Sequence, residues 1–271
     1  TRHFNDPIAV QTTAVNDITA VIDGGDYAIS ESIKNITKKV KPDLVGLFTT
    51  GLTETKGDDI KGASKLVEDI QQMVYVNTPD FEGSIESGFS KSIEAIIQQL
   101  VQSSTEIDTN KALIIPNVNL KPIEVEKIKD TISLFGYEVF SLPDLSESLD
   151  GHLGLKQGAL TSGGISVEDI KKLGCSSLVF TIGQSVEKCG SKILEKNPKI
   201  IGIAVYIWNA FDVGELVKTI KKVSPETIEA FANYVKDNVK TDSNIRGSAQ
   251  YRKHLAYVLV KRALVSIGGN A

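Results

Sequence analysis

Thiols and imidazoles, the side chains that most often bind metals or act as nucleophiles, are scarce in this chain. It has two cysteines, Cys175 and Cys189, and three histidines, His3, His152 and His254, which are far apart in the sequence. Two thiols cannot form the four-cysteine shell of a structural zinc or iron–sulfur site within one chain. The sequence therefore predicts no tightly bound metal in the isolated chain. It also favours the reducing cytoplasm, because so few cysteines cannot build a disulfide scaffold.

A polar segment at residues 51–59 is the first place where side chains suited to recognition gather. It follows an apolar run, residues 44–50, that is typical of a parallel strand covered on both faces. The carboxyl ends of such strands are where open α/β sheets bind ligands. The segment is interpreted either as a loop that faces a cluster or a partner, or as a surface loop in which residues 57–59 begin a helix. His152, after Asp150 and Gly151, is a second candidate in a predicted loop, with a solvated or structural histidine as the alternative.

Composition limits the classes of protein that this chain can represent. Of 271 residues 41% are hydrophobic, the net charge is -4 and the isoelectric point is about 5.5. This is enough apolar material for one or two cores, and the charge provides no general field for nucleic acid. No apolar run approaches the roughly 20 residues of a membrane span, and the first residues have no signal-peptide core.

Extended and helical periodicities alternate along most of the chain, which predicts parallel sheets with helical crossovers. The predicted strands are residues 44–50, 74–77, 112–115, 137–142, 178–182 and 200–206. The predicted helices are residues 27–40, 60–72, 84–102, 122–135, a short helix that Ser166 caps and Gly174 ends, and residues 185–195, 212–223, 224–239 and 247–266. The sequence thus predicts an α/β protein with two Rossmann-like parallel-sheet lobes, followed by a helical C-terminal segment. The predicted units are residues 1–105, 106–210 and 211–271, with a linker at residues 103–110.

Several motifs resemble those of the nitrogenase component 1 family, and of its NifN-type assembly scaffolds in particular. In order, they are RHFNDPI (2–8), QTTA (11–14), TTGLTETKGDD (49–59), YVNTPDF (75–81), LPDLS (142–146), LDGH (149–152) and GG (163–164). The resemblance covers roughly residues 1–197. It implies Rossmann-like lobes that hold metal clusters between them. It further implies a scaffold that pairs with a NifE-like subunit while an iron–molybdenum cofactor precursor matures.

Two departures from the catalytic relatives are implied by the same resemblance. Gly51 stands where the catalytic β-subunit has a cluster-ligating cysteine, and Asp80 stands where it has a cluster-adjacent serine. The scaffold's own cluster cysteine is expected before residue 1, so no iron ligand is predicted within the chain. The resemblance therefore implies an iron–sulfur or iron–molybdenum cofactor precursor only in a complex, and an oxidoreductase family member that is not catalytic alone. The positions expected near the cofactor or the partner are Thr50, Gly51, Glu54, Lys56, Asp80 and His152.

The C-terminal part has two local resemblances to other families. Residues 197–209 are similar to a strand and loop of cobalamin-binding domains in radical SAM enzymes. Residues 243–262 are similar to the end of the flavin-binding subunit of molybdenum hydroxylases. The alternative function is therefore an oxidoreductase component that binds a flavin or cobalamin. The last helix is also basic, and packing on the body or on a partner is favoured over nucleic-acid binding because it carries apolar positions.

Overall fold

A computed structural model of the chain describes residues 10–12, 26–57, 59–67, 69–146, 149, 160, 163–205, 229, 232–233, 236–237 and 248–268. Two parallel sheets form its framework. The prediction of an α/β protein with parallel sheets is confirmed.

The first sheet has two strands, β1 (Val45–Phe48) and β2 (Met73–Val76), and Val45 lies opposite Met73. Three helices accompany it, namely α1 (Asp26–Lys39), α2 (Gly51–Lys56) and α3 (Ile60–Lys65). Ile29 and Ile33, one turn apart on α1, pack in one apolar cluster with Ile60 of α3 and with Met73. The strand β1 is not covered on both faces as predicted, because Phe48 is 55% exposed.

The second sheet contains four parallel strands in the order β4-β3-β5-β6. Their bounds are β3 (Asp108–Pro116), β4 (Glu138–Ser141), β5 (Ser176–Ile182) and β6 (Ile201–Val205). Leu113 and Ile115 contribute to the core on one face, whereas Ala112 and Ile114 contribute to the core on the other. Strand β3 therefore has, over residues 112–115, the continuous apolar sequence that two covered faces require.

The remaining helices whose bounds the structure describes are α4 (Ile85–Leu100), α5 (Pro122–Ser133), α6 (Val167–Lys171), α7 (Glu187–Leu194) and α8 (Ala249–Gly268), with short 3-10 turns at Lys172–Cys175 and Gln184–Val186. The first of these, α4, joins the two sheets. Ile93 and Ile97 on α4 belong to the same buried cluster as Val76 of the first sheet and Val179 of the second. This buried core therefore contains residues from both sides of the predicted boundary at residue 105. The boundary itself stays a prediction.

Two predicted loops have more structure than the sequence indicated. Residues 51–56 form helix α2, which corrects the prediction of a loop at residues 51–59. The predicted linker at residues 103–110 is bound to the second sheet's unit. The Ser104 N–H donates to the Lys196 carbonyl at 3.1 Å, and β3 already begins at Asp108, which pairs with Ser176. Helix α3 ends at Lys65, earlier than the predicted residue 72.

The helical C-terminal segment is described only in part. The predicted helix at residues 212–223 lies outside the described residues, whereas residues 229, 232–233 and 236–237 are helical. Helix α8 contacts this stretch through Glu229, which accepts hydrogen bonds from Tyr257 at 2.7 Å and pairs with Lys261 at 2.5 Å. Part of the positive charge of α8 is therefore compensated within the chain. Among the described residues, no helix combines the length and apolar character needed to cross a membrane.

Candidate functional site

The carboxyl ends of β1 and β2 lie side by side, because the two strands are parallel and in register to Phe48 and Val76. The segments that leave these ends form a site that we call the Gly51 corner, made of residues 49–51, 54 and 77–81. Open α/β sheets bind ligands and partners at this kind of edge.

Helix α2 begins at the Gly51 corner because Thr50 and Thr53 cap it. The Thr50 N–H donates to Thr53 Oγ1 at 2.8 Å, and Thr53 Oγ1 donates to the Thr50 carbonyl at 2.9 Å. At the other end Gly57 adopts a left-handed conformation, with φ 74°, which glycine tolerates best. These local bonds let a short sequence with one glycine and two β-branched residues form a helical turn despite its low propensity.

Glu54 is the hub of a hydrogen-bond network that joins the two strand ends. Its Oε1 atom accepts from Thr49 Oγ1 at 2.5 Å and from Asn77 Nδ2 at 2.7 Å. Thr49, only 4% exposed, also accepts the Thr78 N–H at 2.8 Å, and Thr78 Oγ1 donates to the Thr49 carbonyl at 3.0 Å. The network fixes α2 against both strands, so Glu54 is a structural carboxylate as well as a candidate contact.

Gly51 and Asp80 are in direct contact across the corner. A Cβ atom built on Gly51 would overlap Asp80 Oδ1 and would lie 3.2 Å from Cδ1 of Phe81. Gly51 is buried, whereas Asp80 is exposed to solvent. The Asp80 carboxylate thus occupies the space that a side chain at position 51 would need. The two positions at which departures from the catalytic relatives were expected are therefore neighbours in space.

The corner continues into an open cavity of about 220 Å³ beside the start of α4. It is lined by Thr78, Pro79, Asp80, Glu82, Gly83, Ser84, Ser87, Gly88 and Lys91. Two large apolar side chains project from the same segment: Phe81 is 65% exposed and Ile85 is 80% exposed. The corner therefore combines a carboxylate with exposed apolar groups.

The carboxyl edge of the second sheet approaches the same place. Asn119, in the turn after β3, donates from Nδ2 to Glu86 Oε1 at 2.7 Å, and Glu86 lies in the first turn of α4. The carboxyl ends of both sheets are therefore joined at the amino end of α4. A ligand or partner seated there would contact segments from both sheets.

A second organised loop follows β4 and contains the LPDLS motif. Asp144 Oδ2 accepts from Lys129 Nζ at 2.7 Å, and its Oδ1 accepts from the Ser146 N–H at 3.2 Å and the Ser146 hydroxyl at 2.5 Å. Burial raises the pKa of Asp144, but the hydrogen bonds from Lys129 and Ser146 and the Lys129 charge outweigh it and leave this pKa below its ordinary value. Gly164, with φ 88°, lies against the Asp144 carbonyl.

The two thiols lie in different environments. Cys189 is fully buried between α4 and α7 beside Ser90, with Sγ 3.4 Å from Ser90 Oγ, and burial raises the pKa of its thiol to about 11. Cys175 is half-buried at the start of β5, opposite the carboxyl edge. Among the described residues, no three side chains of histidine, cysteine, aspartate or glutamate are grouped as a metal site.

The structure brings together four of the residues predicted from the sequence: Thr50, Gly51, Glu54 and Asp80. Lys56 is the last residue of α2, and His152 lies outside the described residues. Sequence reasoning did not single out Thr49, Asn77 and Thr78, which hold Glu54 in place, or Phe81, which lies beside Gly51. Asn77, Thr78 and Phe81 belong to the YVNTPDF motif and follow a predicted strand end, which was the signal available for them.

Comparison with known proteins gives a consistent picture. The sequence model of the family described as nitrogenase component 1 type oxidoreductase matches residues 1–269. Its match runs through residues 197–209 and 243–262, so the same family accounts for the two segments that had indicated flavin or cobalamin proteins.

Curated relatives and a solved structure agree with this match. The nitrogenase iron-molybdenum cofactor biosynthesis protein NifN of a Nostoc species is 33% identical over 200 residues, which are 72% of this chain and 44% of the relative. The protein of the same name from Mesorhizobium japonicum is 37% identical over 191 residues, which are 68% of this chain and 41% of the relative. A solved chain titled "Nitrogenase Cp1 at pH 6.5" superposes with a TM-score of 0.71 at 25% identity, and the match covers 88% of this chain and 54% of the solved one. The chain thus spans less than half the length of these curated relatives.

Proposed function

This chain belongs to the nitrogenase component 1 family, and from that premise we propose that it is a NifN-like scaffold component for the biosynthesis of the nitrogenase iron–molybdenum cofactor. The observation that carries the proposal is its 33% and 37% identity to two proteins named NifN, over 200 and 191 residues. In this function the chain works in the cytoplasm, binds a NifE-like subunit and contributes to holding an iron–sulfur or iron–molybdenum cofactor precursor. It acts as a binding component and is not catalytic by itself.

The Gly51 corner is the surface that we assign to this interaction. It lies at the carboxyl ends of β1 and β2, and α4 links it to the carboxyl edge of the second sheet. The hydrogen bonds of Glu54 make the corner rigid before any partner binds. A preformed surface loses little conformational entropy on association.

The donor atoms available at the corner bear on how the precursor is held. The polar groups that the structure describes there are hydroxyl, amide and carboxylate groups, including those of Thr50, Asn77 and Asp80. Iron–sulfur clusters are held in proteins mainly by thiolates. The buried Cys189, whose thiol has a pKa of about 11, is unsuited to that role. The described corner therefore does not fit a full ligand set, and we propose that this chain shapes the surroundings of the precursor while most of its ligands come from elsewhere in the complex.

Co-purification tests this function directly. The chain is produced alone and together with a tagged NifE-type subunit, and each preparation is analysed for protein stoichiometry, iron content and visible absorption. We expect a stable complex that binds iron and is brown, while the chain alone contains no stoichiometric iron after washing with a chelator. An unrelated acidic α/β protein serves as the control for nonspecific association. Failure of the NifE-type subunit to bind at micromolar concentrations contradicts the proposal.

A further inference from the structure

Two exposed apolar side chains follow Asp80 along the chain where it leaves the Gly51 corner and enters α4. Phe81 and Ile85 are 65% and 80% exposed, although side chains of this size and type are usually buried. We call Asp80, Phe81 and Ile85 the Phe81 patch. Aromatic and aliphatic side chains in such positions are the usual anchors of protein interfaces.

The backbone that presents the patch is firmly held. Gly83 adopts a left-handed conformation, with φ 77°, and the Glu82 N–H donates to the Pro79 carbonyl at 3.3 Å. The Ser84 N–H donates to Ser87 Oγ at 2.7 Å, and Ser87 Oγ donates to the Ser84 carbonyl at 2.8 Å, which closes the first turn of α4. The two apolar groups are therefore displayed on a turn and a helix start that local hydrogen bonds define.

The charges around the patch determine what kind of partner it fits. Glu82 is paired with Lys91 at 3.3 Å, and Glu86 accepts from the neutral Asn119. In the described part of the chain, no lysine, arginine or histidine forms an ion pair with Asp80. The patch consequently has a net negative charge, which disfavours nucleic acid and anionic lipid and favours a basic group.

We infer that the Phe81 patch is a docking site for a protein segment that carries a basic side chain between apolar ones. Phe81 and Ile85 supply the apolar contacts, and Asp80 pairs with the basic group. This inference rests on the proposed function and specifies the chemistry of the partner subunit at that same corner. The Asp80 carboxylate lies against Gly51, and this contact restricts its position, so that the negative charge is presented at a defined place.

The test measures the affinity and association rate of the full chain for a purified NifE-type subunit. The variants are Phe81→Ser, Ile85→Ser and Asp80→Lys, with Leu134→Ser and Asp130→Lys as matched controls. Leu134 is 85% exposed and Asp130 is exposed, and both lie at the far end of α5.

We expect each apolar variant of the patch to raise Kd by roughly tenfold or more, as removal of an interface anchor does. We expect Asp80→Lys to lower the association rate, and to do so more at low salt. The controls should leave both quantities unchanged.

Three results would overturn the inference, each in a different way. If the unmodified chain binds the subunit and all three patch variants bind equally well, the patch is not the docking site, while the proposed function stands. If the unmodified chain does not bind the subunit, the proposed function and this inference both fail. Sedimentation of the chain alone identifies a further contrary result, in which self-association is lost in the same variants. The partner would then be a second copy of this chain.

Discussion

The carboxylate of Asp80 fills the space directly above the Cα atom of Gly51, so that a side chain at position 51 would overlap it. The two residues leave the ends of neighbouring parallel strands, and the Glu54 network holds those ends together. The Asp80 carboxylate therefore favours glycine over any residue with a side chain at position 51. The pair should respond to substitution as one unit.

Gly51→Ala tests this steric coupling. Adding a methyl group where no room exists generally destabilises a protein by about 1–3 kcal/mol, and we expect a loss near the lower end of that range, because Asp80 is exposed and can partly move. In an Asp80→Ala background most of this loss should disappear, since the overlap with Oδ1 is removed and only the 3.2 Å approach to the exposed Phe81 ring remains. Urea unfolding of the four proteins in this cycle gives the coupling free energy.

Gly88→Ala on α4 is the control for the Gly51 cycle. A Cβ atom at Gly88 would meet nothing within 4 Å, and the residue lies inside a helix. Replacement should therefore stabilise the protein by roughly 0.5–1 kcal/mol through helix propensity. If Gly51→Ala stabilises the protein as Gly88→Ala does while Asp80 is still present, the proposed overlap is not significant in solution.

Glu54→Ala should lower the free energy of unfolding, although replacing a charged residue on a protein surface usually changes stability by no more than about 0.5 kcal/mol. The change removes the shared acceptor of Thr49 and Asn77, and it leaves the buried Thr49 hydroxyl without that partner. A hydrogen bond to a charged group contributes about 1.5–3 kcal/mol, and we expect a loss in this range. Glu31→Ala, which removes only an exposed pair with Lys34, should change stability by no more than about 1 kcal/mol. Denaturant titration measures the free energy of unfolding of both variants. Equal losses in Glu54→Ala and Glu31→Ala would show that the Glu54 network contributes little to stability.

Asp144 should make the stability of the second sheet's unit depend on pH. Burial raises its pKa, but the hydrogen bonds from Lys129 and Ser146 and the charge of Lys129 together lower it by more, so the folded-state pKa lies below that of the unfolded chain. The stabilisation that ionised Asp144 contributes to the folded state is therefore fully present above the pKa of the unfolded chain. It is lost as the pH falls through the pKa of the folded state. Asp144→Asn should reduce the free energy of unfolding by about 1–3 kcal/mol near pH 7, and the difference from the parent should shrink under acid.

The measurement for Asp144 is urea unfolding of both proteins between roughly pH 2 and pH 7. Glu195→Gln is the control, because Glu195 pairs with Lys192 on an exposed surface, where ion pairs contribute about 0–1 kcal/mol. A constant difference between Asp144→Asn and the parent across this range would show that ionisation of Asp144 does not stabilise the fold.

The sequence predicted the parallel strands more accurately than the site. Residues 112–115 are a continuous apolar run, and in residues 178–182 only Thr181 interrupts one; such runs are distinctive because both faces of these strands are covered. Helix α2 was missed because glycine and β-branched residues disfavour helices, and its capping by Thr50 and Thr53 depends on geometry. The family motifs indicated Gly51 and Asp80 separately. Their contact arises from the pairing of β1 with β2, which no local pattern encodes.

The two cysteines provide a final prediction that needs no partner protein. Cys189 is fully buried and burial raises its pKa to about 11, so roughly one molecule in a thousand carries the thiolate at about pH 8, even before access is considered. Cys175 is half-buried and should react with a thiol reagent in the native state. We therefore expect one fast-reacting thiol per chain under native conditions, and two after unfolding in urea. Cys175→Ser should abolish the native reaction, whereas Cys189→Ala should leave it unchanged and destabilise the protein slightly, because Cys189 Sγ contacts Ser90 in the core shared by α4 and α7. Rapid native labelling of the Cys175→Ser protein would mean that α7 separates from α4 far more often than this packing allows.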